Sequence, residues 1–179
     1  MSVASGPVLE GQNVVLRPAG EADIPALVAI VSSSEVARWW GTPRSKEEFA
    51  KELLDEDVVT FAIEVGTEVI GLIQYHEENE PDYRSAGVDI CLRPDHLGRG
   101  LGTDAVRTIA RYLFDERKHH RLTIDPAAAN ERAIACYRKV GFQPVGVMRR
   151  YERGADGSWH DGLLMDLLRE ELSEALPHR

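Results

Sequence analysis

The segment from Gly87 to Phe142 constrains this chain more than any other, because strand, glycine turn, helix, strand and helix follow one another without a linker. Val88 to Leu92 is a short apolar run that Pro94 stops, and the turn Gly98-Arg99-Gly100-Leu101-Gly102-Thr103 comes next. Apolar residues then fall at Leu101, Ala105, Val106, Ile109, Ala110, Leu113 and Phe114, a stripe down one helix face. The glycines therefore stand where a strand hands over to a helix N-terminus. Backbone N–H groups there lack helical partners and the helix dipole is positive, so the place suits an anion. Without a Cβ, glycine lets a bulky phosphate approach those N–H groups.

Spacing excludes two familiar phosphate motifs. A dinucleotide fingerprint needs G-x-G-x-x-G with an acidic residue about 20 positions on, and here the third glycine comes one position early. A P-loop needs a lysine after its last glycine, and none follows. An isolated G-x-G-x-G could be no more than a tight turn.

The second half of the segment adds information. A strand candidate, Arg121 to Ile124, leads into Asp125-Pro126 and then Asn130-Glu-Arg-Ala-Ile-Ala-Cys-Tyr137-Arg-Lys-Val-Gly141-Phe142. Turn and helix in this order resemble the GNAT superfamily of N-acetyltransferases, over roughly residues 13–168. Leu97-Gly98-Arg99-Gly100-Leu101-Gly102 is similar to their coenzyme A pyrophosphate loop, with Leu97 where Gln or Arg is frequent. The spacing Asn130…Tyr137…Gly141-Phe142 is similar to the helix that follows it.

At 179 residues the chain fits one domain with its own core, and 43% hydrophobic with 28% charged residues is ordinary for a soluble protein. Its apolar runs are too short for a membrane span, and it opens without the basic and apolar regions of a signal peptide. A cytoplasmic protein that engages no membrane is expected. Cys91 and Cys136 show no metal spacing and read as reduced core residues. A net charge of −9 argues against a nucleic-acid partner and is compatible with a cationic one.

The remaining elements frame the central segment. Residues 1–12 read as a loose lead-in, Asn13 to Arg17 as a strand stopped by Pro18, and Glu21 to Val31 as a helix. Trp39 and Trp40 precede a stop at Gly41 and Pro43, and adjacent residues cannot both face one core. The pair is a hydrophobic cap or a substrate wall. Ser45 and Glu48 match a capping box that starts another helix. Val58–Val65 and Val69–Tyr75 read as a hairpin, and His76 to Arg84 as a carboxylate-rich loop, either solvated or a wall beside the acceptor. Val145–Tyr151 and Trp159–Leu168 form a last hairpin, before a charged tail from Arg169 to Arg179 that reads as a frayed helix. The order predicts a single α+β domain built on one mixed sheet. GNAT folds share this order, and the resemblance implies a mostly antiparallel sheet flanked by helices with splayed central strands.

The resemblance also implies a chemistry. Acetyl-CoA would be the co-substrate, with no metal. Its diphosphate would lie on Leu97, Gly98, Arg99, Gly100, Leu101, Gly102 and Thr103, its pantetheine arm along the strand at Ile90, Leu92 and Arg93, and against Asn130. Tyr137 would face the sulfur. Among GNAT enzymes the aminoglycoside 6′-N-acetyltransferases look closest, sharing a G-x-D strand (Gly87-Val88-Asp89), the T/I-D-P turn (Ile124-Asp125-Pro126) and an early Trp-Trp-Gly. By that likeness Asp89 is the candidate general base and Asp125 an acceptor-ammonium ligand. Trp39, Trp40, Tyr75 and Glu78 complete the expected acceptor site.

A carboxylate inside an apolar strand is costly unless paired, solvated or functional, so Asp89 is expected to have a raised pKa, through burial and nearby Asp125. The expected partner is a small cationic amine, and the protein a monomer or homodimer. A protein N-terminal amine, an N6-hydroxylysine siderophore precursor, or a module that only binds acyl-CoA remain alternatives.

Overall fold

The sheet is assembled from hairpins on its flanks and one parallel junction near its middle. A computed structural model describes residues 6–41, 45–53, 55 and 57–174. Among them the strands are β1 (Leu9–Glu10), β2 (Val15–Pro18), β3 (Val58–Val65), β4 (Glu68–Glu78), β5 (Ser85–Leu92), β6 (Arg121–Ile124), β7 (Gln143–Arg153) and β8 (Trp159–Leu168). The α-helices are α1 (Ile24–Val31), α2 (Ser34–Trp40), α3 (Lys46–Leu53), α4 (Leu101–Asp115) and α5 (Glu131–Val140). The strands lie in the order β1-β2-β3-β4-β5-β6-β8-β7. Neighbours are antiparallel except β5 and β6, which are parallel because α4 carries the chain back between them.

The parallel junction is short. Only Ala86 pairs with Leu122 and Gly87 with Thr123, although β5 runs on to Leu92 beside β4. After Thr123 the other chain stays with β8: Leu163 N–H donates to Pro126 O at 2.9 Å and Ala128 N–H to Asp161 O at 2.8 Å. The central strands therefore diverge, and a cleft opens between them.

Two apolar layers hold the sheet. On one face the stripe of α4 (Ala105, Val106, Ile109, Leu113) packs with Tyr137, Val140 and Phe142 against Phe61, Ile73, Tyr75, Val88 and Leu122. On the other, Leu27, Ile30 and Phe49 from α1 and α3 cover Ala62, Leu72 and Cys91. Strand alternation assigns Gln74, His76 and Asp89 to that second face, because Gln74 pairs with Asp89 and Leu72 with Cys91. The expected capping box forms, with Ser45 N–H donating to Glu48 Oε2 at 2.9 Å and Glu48 N–H to Ser45 Oγ at 3.1 Å.

Several boundaries differ from the sequence expectation. The lead-in contributes β1, paired to β2. The tryptophan segment is itself the helix α2. A 3₁₀ turn at Glu21–Asp23 precedes α1, and the tail begins as a 3₁₀ turn at Arg169–Glu171. β4 continues through His76, Glu77 and Glu78, which were expected in the loop. Pro43, the first five residues of the lead-in and the last five of the tail lie outside the described residues. Among the described residues no helix is long and apolar enough to cross a membrane.

Candidate active site

The glycine turn meets α4 in the conformation an anion cradle needs. Gly98 and Gly100 have φ of +75° and +77°, where side-chain-bearing residues are strained, and a Cβ on either would meet nothing within 4 Å. Backbone conformation, not crowding, calls for glycine, and open space lies in front of the turn. Gly100 is the N-cap of α4 and offers no side chain to the N–H groups behind it. The donors of the first turn and the helix dipole are thus left for a phosphate, with exposed Arg99 beside them.

Asp104 anchors this turn. Its buried carboxylate accepts the backbone N–H groups of Gln12, Asn13 and Val14 at 3.0, 2.6 and 3.1 Å. The sequence reading missed this residue, since an aspartate in a first helical turn reads as ordinary dipole compensation. Thr103 Oγ1 lies 3.3 Å from Cys136 Sγ, which ties α5 to the same turn.

Along β5, the indole Nε1 of Trp40 donates to Ile90 O at 3.0 Å. Ile90 is half-buried, whereas Leu92 and Leu101 are buried in the first apolar layer and Leu97 packs against it, so these leucines could serve a coenzyme only through their backbone. Arg93 departs from expectation. Its N–H donates to Ile70 O at 2.7 Å, and its guanidinium is held by Glu68 and Asp95 at 2.6 and 2.7 Å. Its backbone N–H and its guanidinium are thus both engaged within the protein. Asn130 caps α5, its Oδ1 accepting Ala133 N–H at 3.2 Å, which leaves only its amide nitrogen as a donor.

Asp89 stands where the central strands part. Water reaches its carboxylate from the mouth of the cleft, yet the walls displace bulk solvent around it. Burial is the larger cause, and the charges of Asp125 and Glu152 add to it, while His76 opposes; together they raise its pKa to about 6. Tyr137 lies in the apolar layer on the opposite face of the sheet, where the charges of Asp89 and Asp125 still reach it. Burial first, then the charges of Cys136, Asp89, Cys91 and Asp125, push its phenol well above the ordinary range. The ring is 6% exposed and packs obliquely on Phe142. The structure thus brings Asp89, Asp125 and Tyr137 together.

Three more groups join them: His76 on β4 and Tyr151 and Glu152 on β7. The alternation Gln74–His76 could have revealed the histidine; the tyrosine and glutamate depend on a strand irregularity described below.

One expected acceptor residue stands elsewhere, and a second lies at the far end of its strand. Tyr75 pairs with Val88, so its ring faces the α4 side, in the core with Phe61 and Tyr112 at centroid distances of 6.3 and 6.2 Å. Strand parity puts it on the face opposite Asp89, and the expectation is corrected. Glu78 is exposed at the end of β4, with Oε1 turned back to accept Glu80 N–H at 2.9 Å. Glu77, with Tyr75 on the strand face opposite Asp89, is locked by Arg117 and buried His119, each at 2.8 Å. Trp39 and Trp40 diverge as adjacent residues must. Trp40 packs against the second apolar layer, and Trp39 lies under the Arg38 guanidinium, 4.6 Å from the ring centroid.

Comparison with known proteins agrees with this architecture. Residues 13–143 match the acetyltransferase (GNAT) domain family. The chain is 30% identical over 156 residues to the aminoglycoside N(6′)-acetyltransferase type 1 of Klebsiella pneumoniae, covering 76% of this chain and 77% of that protein. It is 26% identical over 165 residues to the spermidine N(1)-acetyltransferase of Escherichia coli K12, covering 89% and 88%. The solved aminoglycoside acetyltransferase AAC(6′)-Ib with coenzyme A superposes with a TM-score of 0.73 at 29% identity, covering 88% of this chain and 96% of that one. The glycine cradle, the diverging strands and these likenesses show that the chain belongs to the GNAT acetyltransferases, enzymes that take their acetyl group from acetyl-CoA.

Proposed function

We propose that this acetyltransferase acts on the primary amine of a small polycation, the 6′-amine of an aminoglycoside, by direct transfer. The observation that supports it is the convergence of Asp89 and Asp125 where the strands part, beside the expected coenzyme strand. A role in antibiotic resistance, carried out in the cytoplasm where acetyl-CoA is available, is part of the proposal. The aminoglycoside relative at 30% identity favours this acceptor, and the polyamine relative makes a linear amine the second reading.

In this reading the diphosphate lies on Gly98 to Thr103 with Arg99 adding charge, and the pantetheine arm follows β5 at Ile90 and Leu92 and meets the Asn130 amide. Backbone N–H groups at the strand edge polarise the thioester carbonyl. Asp125 receives the acceptor ammonium, and Asp89 takes its proton. With lysine as proxy for the amine, transfer to an aspartate of pKa about 3.9 is uphill by about 9 kcal/mol, and to one near 6 by about 6 kcal/mol. Desolvation thus does part of the catalytic work. The neutral nitrogen attacks the carbonyl carbon, and the C–S bond breaks with its electron pair leaving on sulfur. The second N–H proton of the new amide nitrogen passes through solvent to that thiolate, so that the amide and the free CoA thiol are released. Until then Tyr137 donates a hydrogen bond to the thiolate. Its raised pKa keeps it protonated, and a complete handover to a thiolate whose acid has pKa about 8.5 would be uphill.

The test is an acceptor panel at fixed acetyl-CoA: kanamycin A, spermidine and a peptide with a free N-terminus, compared by kcat/KM. The proposal expects kanamycin A first. Preferential turnover of the peptide would overturn it.

A further inference from the structure

β7 does not run evenly beside β8. Met148 pairs with Gly162 and Glu152 with His160, so Arg149, Arg150 and Tyr151 stand against Asp161 alone. Arg150 absorbs the bulge with φ +51°, and its N–H donates to Asp161 Oδ1 at 2.8 Å. Such bulges bend a strand and re-aim its side chains. Here the Tyr151 ring settles on Gly162, where a Cβ would come within 2.9 Å of the ring Cδ1. From that seat, beside the bridge that joins Gly162 to Ala127, the Tyr151 hydroxyl faces the Asp125 carboxylate, and the ring remains 48% exposed. Glu152, half-buried, stands where it interacts with Asp125 and with Asp89, on the same wall. The cationic group near it is His160, which is already engaged with Asp156 and Ser158 at 2.9 Å.

We infer that Tyr151 and Glu152 complete the acceptor site: Tyr151 positions Asp125 for one ammonium of any acceptor, and Glu152 receives a second ammonium of the same molecule and so sets the preference for polycations. The inference rests on the acetyl-acceptor reading above. The groups whose charge bears on Asp89 are Asp125, His76 and Glu152, with no lysine or arginine among them. Like charges gathered in a cleft are unfavourable until a cation enters. Among the described residues no three acidic, histidine or cysteine side chains are grouped to hold one metal ion. Spaced carboxylates suit a ligand whose own positive charges are spaced, and the open aromatic face of Tyr151 adds a surface for its carbon frame or a cation. Acceptors with two or more ammoniums are therefore selected over monoamines.

The experiment is calorimetric binding to the coenzyme A-loaded enzyme, with kanamycin A and spermidine as polycations and 6-amino-6-deoxyglucose as a monoamine. The wild type is expected to prefer the polycations by about 30-fold or more, falling as salt rises. Glu152→Gln should cut that preference about tenfold while changing monoamine affinity less than about twofold. In steady-state turnover with acetyl-CoA, Tyr151→Phe should raise the acceptor KM several-fold for polycation and monoamine alike, while kcat and the KM for acetyl-CoA change little. No polycation preference in the wild type, or equal losses for both acceptor classes in Glu152→Gln, overturns the assignment of Glu152. An unchanged acceptor KM in Tyr151→Phe overturns that of Tyr151. Selective tight binding of kanamycin A without acetyl transfer would instead overturn only the acceptor reading.

Discussion

The indole of Trp40 donates to the carbonyl of Ile90 at 3.0 Å, fixing α2 to the strand that borders the cleft. One residue thereby connects α2 and the second apolar layer to the strand proposed to carry the pantetheine arm. Trp40→Phe keeps the ring packing but leaves that carbonyl without its indole donor. We expect a loss of about 1 kcal/mol in stability and a severalfold rise in acceptor KM, read by urea denaturation and steady-state kinetics.

The raised pKa of Asp89 sets a pH signature. Activity should climb as the carboxylate ionises near pH 6. Asp125→Asn removes a like charge, so the acid limb of kcat/KM should move to lower pH. The sign for stability is opposite to that of a paired carboxylate. The folded state holds the Asp89 proton more tightly than the unfolded state, so ionisation costs stability as pH rises from about 4 to about 6. Asp89→Asn should accordingly be inactive yet slightly more stable at pH 8, by about 1 kcal/mol, since water at the cleft mouth screens much of the cost.

Tyr137 is expected to matter for departure of the thiolate rather than for binding. Tyr137→Phe should lower kcat by about 10- to 100-fold with the KM for acetyl-CoA unchanged. An equal fall with a better leaving thiol would contradict that role.

Removing the Asp104 carboxylate leaves three backbone donors without their acceptor at the root of the glycine turn. Asp104→Ala should cost about 3 kcal/mol and raise the KM for acetyl-CoA more than that for the acceptor. Urea denaturation and paired titrations separate the two effects.

Glu77 supplies the ordinary pH sign. Its pKa falls to about 2, chiefly through the Arg117 hydrogen bonds, with His119 adding to them. That contribution is present above the unfolded value near 4.5 and is lost as pH falls toward 2. Glu77→Ala should cost about 2 kcal/mol at pH 7, with the gap to wild type closing below pH 4.

Much of this architecture was legible in the residues. The stripe from Leu101 to Phe114 fixed α4, the glycines its N-terminus, and the Val-rich alternation the β3–β4 hairpin. Asp89 stood out because a carboxylate within Val-Asp-Ile-Cys demands a reason. What stayed hidden depended on tertiary registration. Tyr75 could be placed only once its pairing with Val88 was known, because one step along a strand changes the face. Tyr151 and Glu152 reach the cleft through a bulge that no local composition announces, and Arg150 at φ +51° is the last residue type to suggest it. Asp104 partners Gln12 to Val14, some 90 positions earlier, a contact that periodicity within α4 does not encode.

The most direct test of the account is free-thiol release from acetyl-CoA with kanamycin A beside an otherwise matched analogue carrying a hydroxyl in place of the 6′-amine. Rapid release with the amine, near-background release with the hydroxyl, and loss of the amine-dependent rate in Asp89→Asn are predicted. Equal rates with both acceptors, or an Asp89→Asn rate equal to wild type, would contradict it.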